Sequence, residues 1–301
     1  NRIVAKDEFN TLVETGQIQF VTFHQSYSYE DFVEGIKPIV NENGQVEYEI
    51  KDGIFKKMCQ EAEGSGKNHV LIIDEINRGN ISKIFGELIT LIENSKRIGE
   101  KEALKVKLTY SGTNDDDFGV PNNLFLIGTT NSADKSIALV DTALRRRFEF
   151  LEYTADSTLL NTNIEGIDLQ KLLKTINERI EILLDKNHLI GHAYLINVTT
   201  KNQLCAVFRN GIIPLLEEYF YADYEKIQFV LGDNPEFNKI KTNRIIINNS
   251  QADQRNLFGT EIDGFEEKTI YHLNENIELK KYDDISPTFF ISIYEKTQST
   301  D

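Results

Sequence analysis

The sequence predicts an α/β protein: a parallel sheet with helices on both faces and two β-hairpin inserts, then an all-helical lid and a β-leaning tail. Three observations carry that expectation. Short apolar blocks at residues 18–23, 69–73 and 124–127 are separated by helical patterns, as in units where parallel strands alternate with helices. The dipeptide Asn43-Gly44 lies inside an alternating stretch over residues 38–51, the strongest short hairpin signal. Beyond Leu159 the strand blocks give way to a helical stripe of Leu169, Leu173, Ile176, Ile180 and Leu183.

Taken in order, residues 18–23 form a first strand that runs into the polar, aromatic cluster His24-Gln25-Ser26-Tyr27-Ser28-Tyr29-Glu30-Asp31. Such a cluster belongs at a sheet's carboxyl edge. The hairpin follows, then a helix over residues 53–63. Val70, Leu71, Ile72 and Ile73 form one apolar block, which reads as a strand buried on both faces. After Asn80, apolar residues at Ile81, Ile84, Phe85, Leu88, Ile89 and Ile92 have three-four spacing, which predicts an amphipathic helix capped by Asn80. A second hairpin is expected from residues 104–110 and the stretch approaching Pro121, joined by an acidic turn containing Asp115-Asp116-Asp117. The third strand ends at Gly128-Thr129-Thr130-Asn131. In the lid, a helix over residues 212–220 is entered through Pro214. Ile245-Ile246-Ile247, Thr269-Ile270 and Phe289-Phe290-Ile291 read as short strand runs in the tail. The resulting division is a core of residues 1–155, a lid of 156–232 and an extension of 233–301.

Composition narrows the function classes. Thirty-three Lys and Arg stand against 48 Asp and Glu, a net charge of −15. That is the wrong sign for a surface that binds nucleic acid unaided, so any DNA contact is local or borrowed. Cys59 and Cys205 are too few and too far apart for a zinc site or a disulfide framework, and suit a reducing compartment. No apolar run reaches the ~18 residues of a membrane span. These features point to the cytoplasm.

The sharpest constellation is Leu71-Ile72-Ile73-Asp74-Glu75, a strand delivering two adjacent carboxylates. In a nucleoside-triphosphate hydrolase the first serves the Mg²⁺ shell and the second polarises the attacking water. The bland reading is a strand that ends in a polar loop. Asn131 closes the next strand, where a neutral amide can orient that water. The run Asp141-Thr142-Ala143-Leu144-Arg145-Arg146-Arg147-Phe148 ends a short helix in three arginines. Such a run is either a solvated, salt-bridged face or a set of fingers reaching a neighbouring subunit's phosphates.

Together with the cluster at 23–32, the segment Ile73-Asp74-Glu75-Ile76-Asn77-Arg78-Gly79-Asn80 and the segment Gly128-Thr129-Thr130-Asn131-Ser132-Ala133-Asp134, this run resembles the McrB family of AAA+ GTPases. McrB-type proteins are the motor subunits of modification-dependent restriction systems. The match covers roughly residues 18–230, since Ile190-Gly191-His192-Ala193-Tyr194 and Pro214-Leu215-Leu216-Glu217-Glu218-Tyr219-Phe220 resemble the family's helical lid. The resemblance implies an AAA+ P-loop NTPase-type sheet. It makes Asp74 the magnesium-side Walker B acid, acting through water, Glu75 the water-activating residue and Asn131 sensor 1. Asp134 belongs to the family's guanine-linked signature. Arg146 and Arg147 become the trans-acting fingers, with Arg145 less favoured. Arg78 matches a basic family position and acts either at a subunit interface or in an ion pair within the chain. The resemblance further implies Mg²⁺, with GTP preferred to ATP. It implies a homo-oligomeric ring, a hexamer, and an McrC-like endonuclease partner that supplies the cut. DNA is then engaged through the assembled complex, with no membrane.

One departure stands out: the phosphate loop, G-x-x-x-x-G-K-S/T, is missing. Gly64-Ser65-Gly66-Lys67-Asn68 does not replace it, because Glu61 holds the place of the first glycine and Asn68 that of the magnesium-binding hydroxyl. It also leads into a strand instead of following one. The simplest account is a chain that begins after the loop, and the alternative is a degenerate homologue. Either way these 301 residues by themselves should bind nucleotide poorly. Two further readings stay open: an ATP-driven MoxR-like remodelling ATPase, which lacks the His-Gln-Ser-Tyr-Ser-Tyr motif, and a catalytically silent scaffold of a defence complex.

Overall fold

The computed structural model describes residues 2–110, 117–131, 142–239, 244–249, 258–260 and 269–296, in two compact units, 1–151 and 152–301.

In the first unit, helix α1 (Arg2–Glu14) leads into β1 (Ile18–Thr22), which lies parallel to β4 (His69–Asp74); β4 in turn lies parallel to β5 (Leu124–Gly128). Register places Phe20 beside Ile72 and Ile72 beside Ile127. β4 is not buried on both faces, as its apolar run predicted. His69, Leu71 and Ile73 are buried while Val70, Ile72 and Asp74 are half-buried. Period-two alternation sends Leu71 and Ile73 into a core with Phe23, Phe55, Met58 and Phe85. On the opposite face Phe20, Phe125 and Ile127 are 59%, 49% and 50% exposed. The expected second helical layer is therefore not found among the described residues.

The core is aromatic at its centre. Phe32, from the single turn α2 (Tyr29–Phe32), stacks on Phe55 of α3 (Ile54–Ser65) at 5.0 Å and meets Phe85 at 4.8 Å. Each such burial contributes about 1.5–3 kcal/mol. The first hairpin is present, as β2 (Glu34–Val40) paired antiparallel with β3 (Val46–Asp52). Its turn closes through Gly44 at φ +76° and the Asn41 side chain, which accepts from the Asn43 and Gln45 amides. The base of the hairpin is fixed by Glu34, a fully buried carboxylate that accepts from Lys56 Nζ at 2.8 Å and the Tyr110 amide at 2.9 Å.

The predicted helix after Asn80 is shorter than its apolar spacing suggested. Asn80 does cap α4 (Ile81–Phe85), accepting from the Lys83 amide. Gly86 at φ +51° then breaks it into a 3₁₀ turn, Gly86–Ile89, and packs on Tyr29, whose ring would lie 3.1 Å from any β-carbon there. The second hairpin reduces to one antiparallel bridge, Val106 to Phe118, and its tip at 111–116 lies outside the described residues. What anchors this insert is Arg97. Its buried guanidinium donates to the carbonyls of Ile92, Pro121 and Leu124.

The second unit is built on α6 (Leu169–Leu183), capped by Asp168 and buried along Leu169, Leu172, Leu173, Ile176 and Ile180. Helices α7 (Lys201–Val207) and α8 (Ile213–Tyr219) are joined by a π turn, Phe208–Ile212. Pro214 has no amide to return to the preceding turn, and the widened π turn accommodates that loss without ending the helix. After α9 (Tyr224–Leu231), β6 (Ile246–Asn249) pairs antiparallel with β7 (Ile270–Leu273). Phe289-Phe290-Ile291 is not a strand: it lies in the helix Thr288–Tyr294, with Phe289, Phe290 and Ile293 buried. Burial of Phe289, Phe290 and Ile293 on one helical face prevails over the β propensity of the run. Ile245, Ile246, Ile277, Phe289 and Phe290 share one core with α6 to α9. Asp233 ties the two sequence regions together, accepting from the Ile245 and Ile246 amides at 2.7 Å each.

Candidate functional site

The site is assembled where β4 and β5 end. Asp74 is the last residue of β4, and Glu75 turns the chain in the left-handed region at φ +52°, ψ +44°. For a residue with a β-carbon that conformation costs about 1–2 kcal/mol, so neighbouring bonds must hold it. Thr129 supplies them. Its Oγ1 accepts from the Glu75 amide at 3.2 Å, its carbonyl accepts from the Ile76 amide at 3.0 Å, and its own amide donates to Ile73 at 2.9 Å. The Thr129 hydroxyl donates to Asp74 Oδ1 at 2.5 Å. Gly128 permits this approach, since a β-carbon there would lie 3.0 Å from Ile76 Cδ1.

Asp74 and Glu75 are thus neighbours at one sheet edge, and Asn131 follows Thr129 by two residues at the same edge, exposed to solvent. Arg78 Nε lies 3.2 Å from Glu75 Oε2 in an ion pair within the chain, with the two side chains 47% and 27% exposed. Asp134 lies outside the described residues.

The donor set suits Mg²⁺. Asp74 offers hard oxygen, with Oδ1 engaged by Thr129 and Oδ2 without a hydrogen bond among the described residues. Among those residues no group of three His, Cys, Asp or Glu forms a closed metal cage. A single carboxylate of this kind matches an ion that keeps most of its waters and takes its remaining ligands from phosphates.

The three arginines, alike in sequence, separate in space. Arg147 Nη2 lies 2.7 Å from Glu93 Oε1 and its side chain is 14% exposed, which sets it in a bridge within the chain. Arg145, at the end of the short helix Thr142–Arg145, lies over the Phe150 ring at 5.8 Å. Arg146 is exposed. Of the expected fingers, Arg147 is therefore occupied in its own chain and Arg146 is open to solvent. A groove of about 630 Å³ runs beside the outer edge of β5, between Leu124-Phe125-Leu126 and Arg147-Phe148-Glu149.

Other singled-out residues have structural roles. Tyr27 stacks on Phe23 at 5.0 Å, and burial together with Asp31 pushes its phenol up to about 12. Tyr29 is buried and donates to Glu87 Oε1 at 2.7 Å. His24 is exposed and packs edge-on against Tyr27. His192 Nδ1 accepts from the Asp156 amide at 3.0 Å. Gly64 and Ser65 end α3, Gly66 is its left-handed cap, and Lys67 and Asn68 lead into β4. Thr129 was missed as a site residue. The available signal was a hydroxyl one position past a strand end, beside the strand that carries two acids.

Residues 6–148 match the AAA domain of the dynein-related subfamily, and residues 168–228 match the α-helical lid domain of McrB. The chain is 41% identical over 242 residues to the Type IV methyl-directed restriction enzyme EcoKMcrB subunit of Escherichia coli (strain K12), covering 72% of this chain and 51% of that protein. It is 27% identical over 250 residues to the Type II restriction enzyme BsuMI component YdiS of Bacillus subtilis (strain 168), covering 70% and 72% respectively. The chain spans about half the length of the E. coli relative. No helix among the described residues is long and apolar enough to cross a membrane.

Proposed function

The chain belongs to the AAA family and carries a McrB-type helical lid; from that premise we propose that it is the motor module of a modification-dependent restriction system, hydrolysing GTP in preference to ATP. The observation that carries this reading is the pair Asp74 and Glu75 where β4 ends, with Asn131 in the segment that follows the adjacent strand β5.

In the proposed reaction Asp74 holds the water shell of Mg²⁺, and the ion when bound neutralises charge on the phosphate oxygens. Glu75 accepts the proton of the attacking water, after leaving its ion pair with Arg78. Asn131 orients that water by its amide. Asp134 contacts the guanine base. Arg146, exposed at the end of α5 (Thr142–Arg145), reaches the phosphates bound by a neighbouring subunit, with Arg145 beside it, while Arg147 braces the segment through Glu93.

We place the phosphate loop on a further strand and helix of the full-length protein. Two features favour this arrangement. β5 has no strand on its outer side among the described residues, and the exposed face of Phe20, Phe125 and Ile127 lies on the same side of the sheet as Ile72 and Asp74. Residues 1–301 alone then bind nucleotide weakly. The full-length protein forms a ring, a hexamer, in the cytoplasm. An McrC-like endonuclease subunit cuts the DNA and raises turnover, and the net charge of −15 accords with DNA contact made through the complex.

The test is hydrolysis of GTP and ATP by the full-length protein, with and without the endonuclease subunit. GTP-selective turnover raised by the partner is the expected result. ATP-selective turnover would move the protein to the remodelling ATPases, and no turnover with either nucleotide would leave a scaffold.

A further inference from the structure

We infer that Thr129 is the positioning residue of the hydrolytic site, setting the orientation of Asp74 and the turn that presents Glu75; this rests on the roles proposed above for those two acids. A threonine hydroxyl has one proton to donate and lone pairs to accept with. Its accepting side is taken by the Glu75 amide at 3.2 Å, and an amide N–H can only donate. Its single proton is therefore directed to Asp74 Oδ1, at 2.5 Å, in a short bond to an anion. One oxygen of Asp74 is fixed and the other, Oδ2, is left to face a cation's water shell.

The same residue governs Glu75. With φ at +52°, Glu75 holds a conformation that its own β-carbon disfavours, and the flanking amides of Glu75 and Ile76 both bond to Thr129, one to the side chain and one to the carbonyl. The Thr129 amide bonds back to Ile73, so the ends of β4 and β5 are tied in both directions. Substituting the hydroxyl frees Asp74 Oδ1 and removes one of the bonds that hold the left-handed turn, while the backbone bonds and the fold of the sheet persist. Groups that orient a metal-side ligand in this way typically change affinity or activity by about 10- to 100-fold when removed.

The test uses the full-length protein carrying Thr129→Val, which keeps the shape and removes the hydroxyl, and Thr129→Ser, which keeps the hydroxyl. For Thr129→Val, kcat is expected to fall about 10- to 100-fold and the half-saturating Mg²⁺ concentration to rise several-fold, with nucleotide KM within about twofold. Thr129→Ser is expected to stay within about threefold of the parent. Two readouts do not depend on turnover: Mn²⁺ binding to the nucleotide-loaded Glu75→Gln background, followed by electron paramagnetic resonance, and hydrogen exchange of the Glu75 and Ile76 amides. Mn²⁺ affinity and the protection of the Glu75 amide should both fall with Thr129→Val, its exchange becoming faster, and recover with Thr129→Ser. Equal loss in the Val and Ser variants would assign the effect to methyl packing and overturn the inference, as would unchanged Mn²⁺ affinity and exchange in Thr129→Val. A parent protein with no turnover would defeat the functional reading alone, because exchange at Glu75 and Ile76 still decides whether the hydroxyl sets the turn.

Discussion

Arg147 Nη2 lies 2.7 Å from Glu93 Oε1, and that bridge sets Arg147 apart from the two arginines before it. Arg147 braces its own chain, Arg145 rests over Phe150, and Arg146 is left exposed. For the full-length protein, Arg146→Ala is expected to lower nucleotide turnover by about 10³-fold or more while leaving the melting temperature unchanged. Arg147→Ala should alter stability by about 1 kcal/mol at most, with a smaller loss of turnover. Mixing Arg146→Ala with Glu75→Gln subunits should restore part of the activity, because a mixed ring contains interfaces with both residues intact. Absence of any recovery on mixing would argue against a finger acting across subunits.

Glu75→Gln preserves shape and removes the proton acceptor. Nucleotide binding should be retained and hydrolysis should fall by about 10²- to 10⁴-fold. Equilibrium binding of a fluorescent nucleotide alongside a phosphate-release assay checks both halves, and undiminished release would remove Glu75 from the mechanism.

Asp233 is fully buried, and burial pushes its carboxyl up to about 8 against the opposing pull of the Ile246 and Ile245 amides and of Arg244 and Arg179. An unfolded aspartate titrates near about 3.9, so the folded chain is the better proton binder. The contribution of this group to stability is whole below about pH 4 and is lost as pH rises toward about 8. Asp233→Asn keeps an acceptor oxygen and cannot ionise. Thermal unfolding of that variant is expected to vary less between about pH 5 and 8 than that of the parent. Asp233→Ala leaves two buried amides without an acceptor and should cost about 3 kcal/mol. Parallel pH profiles for the parent and Asp233→Asn would refute the role.

Gly53 shows how closely α3 enters the core. A β-carbon there would lie 2.4 Å from the Phe32 carbonyl carbon and 2.6 Å from the Asp31 carbonyl oxygen, contacts with backbone that cannot swing aside. Gly53→Ala is therefore expected to destabilise the protein by about 2 kcal/mol or more. Gly64→Ala, with open space around it, serves as the control in the same chemical denaturation series.

Much of the frame was legible before any coordinates. The three strands, the Asn43-Gly44 hairpin, the cap at Asn80 and the α6 stripe follow from local periodicity and turn chemistry, which act over a few residues and leave their mark in the sequence. The errors also have local causes. Phe289-Phe290-Ile291 has high β propensity, yet Phe289, Phe290 and Ile293 fall on one helical face once they meet the core around Phe208. The apolar spacing from Ile81 to Ile92 promised a longer helix, but the chain leaves the helical conformation at Gly86, with φ +51°.

For the site, the sequence by itself determined which residue types stand at the ends of the strands: Asp74 and Glu75 after one apolar block, Asn131 after another, and three arginines ending a short helix. Only the tertiary structure decided what those residues do to each other. The bond from Thr129 to Asp74 spans 55 positions, and the burial of Asp233 depends on amides 12 and 13 residues away. Such pairings depend on strand register and on which face each element turns inward. The helix ends at Arg145 and the chain turns through Arg146 and Arg147, so three identical arginines face different surroundings. Which of them meets Glu93 and which meets solvent is a property of the packed fold, beyond what residue identity alone can specify.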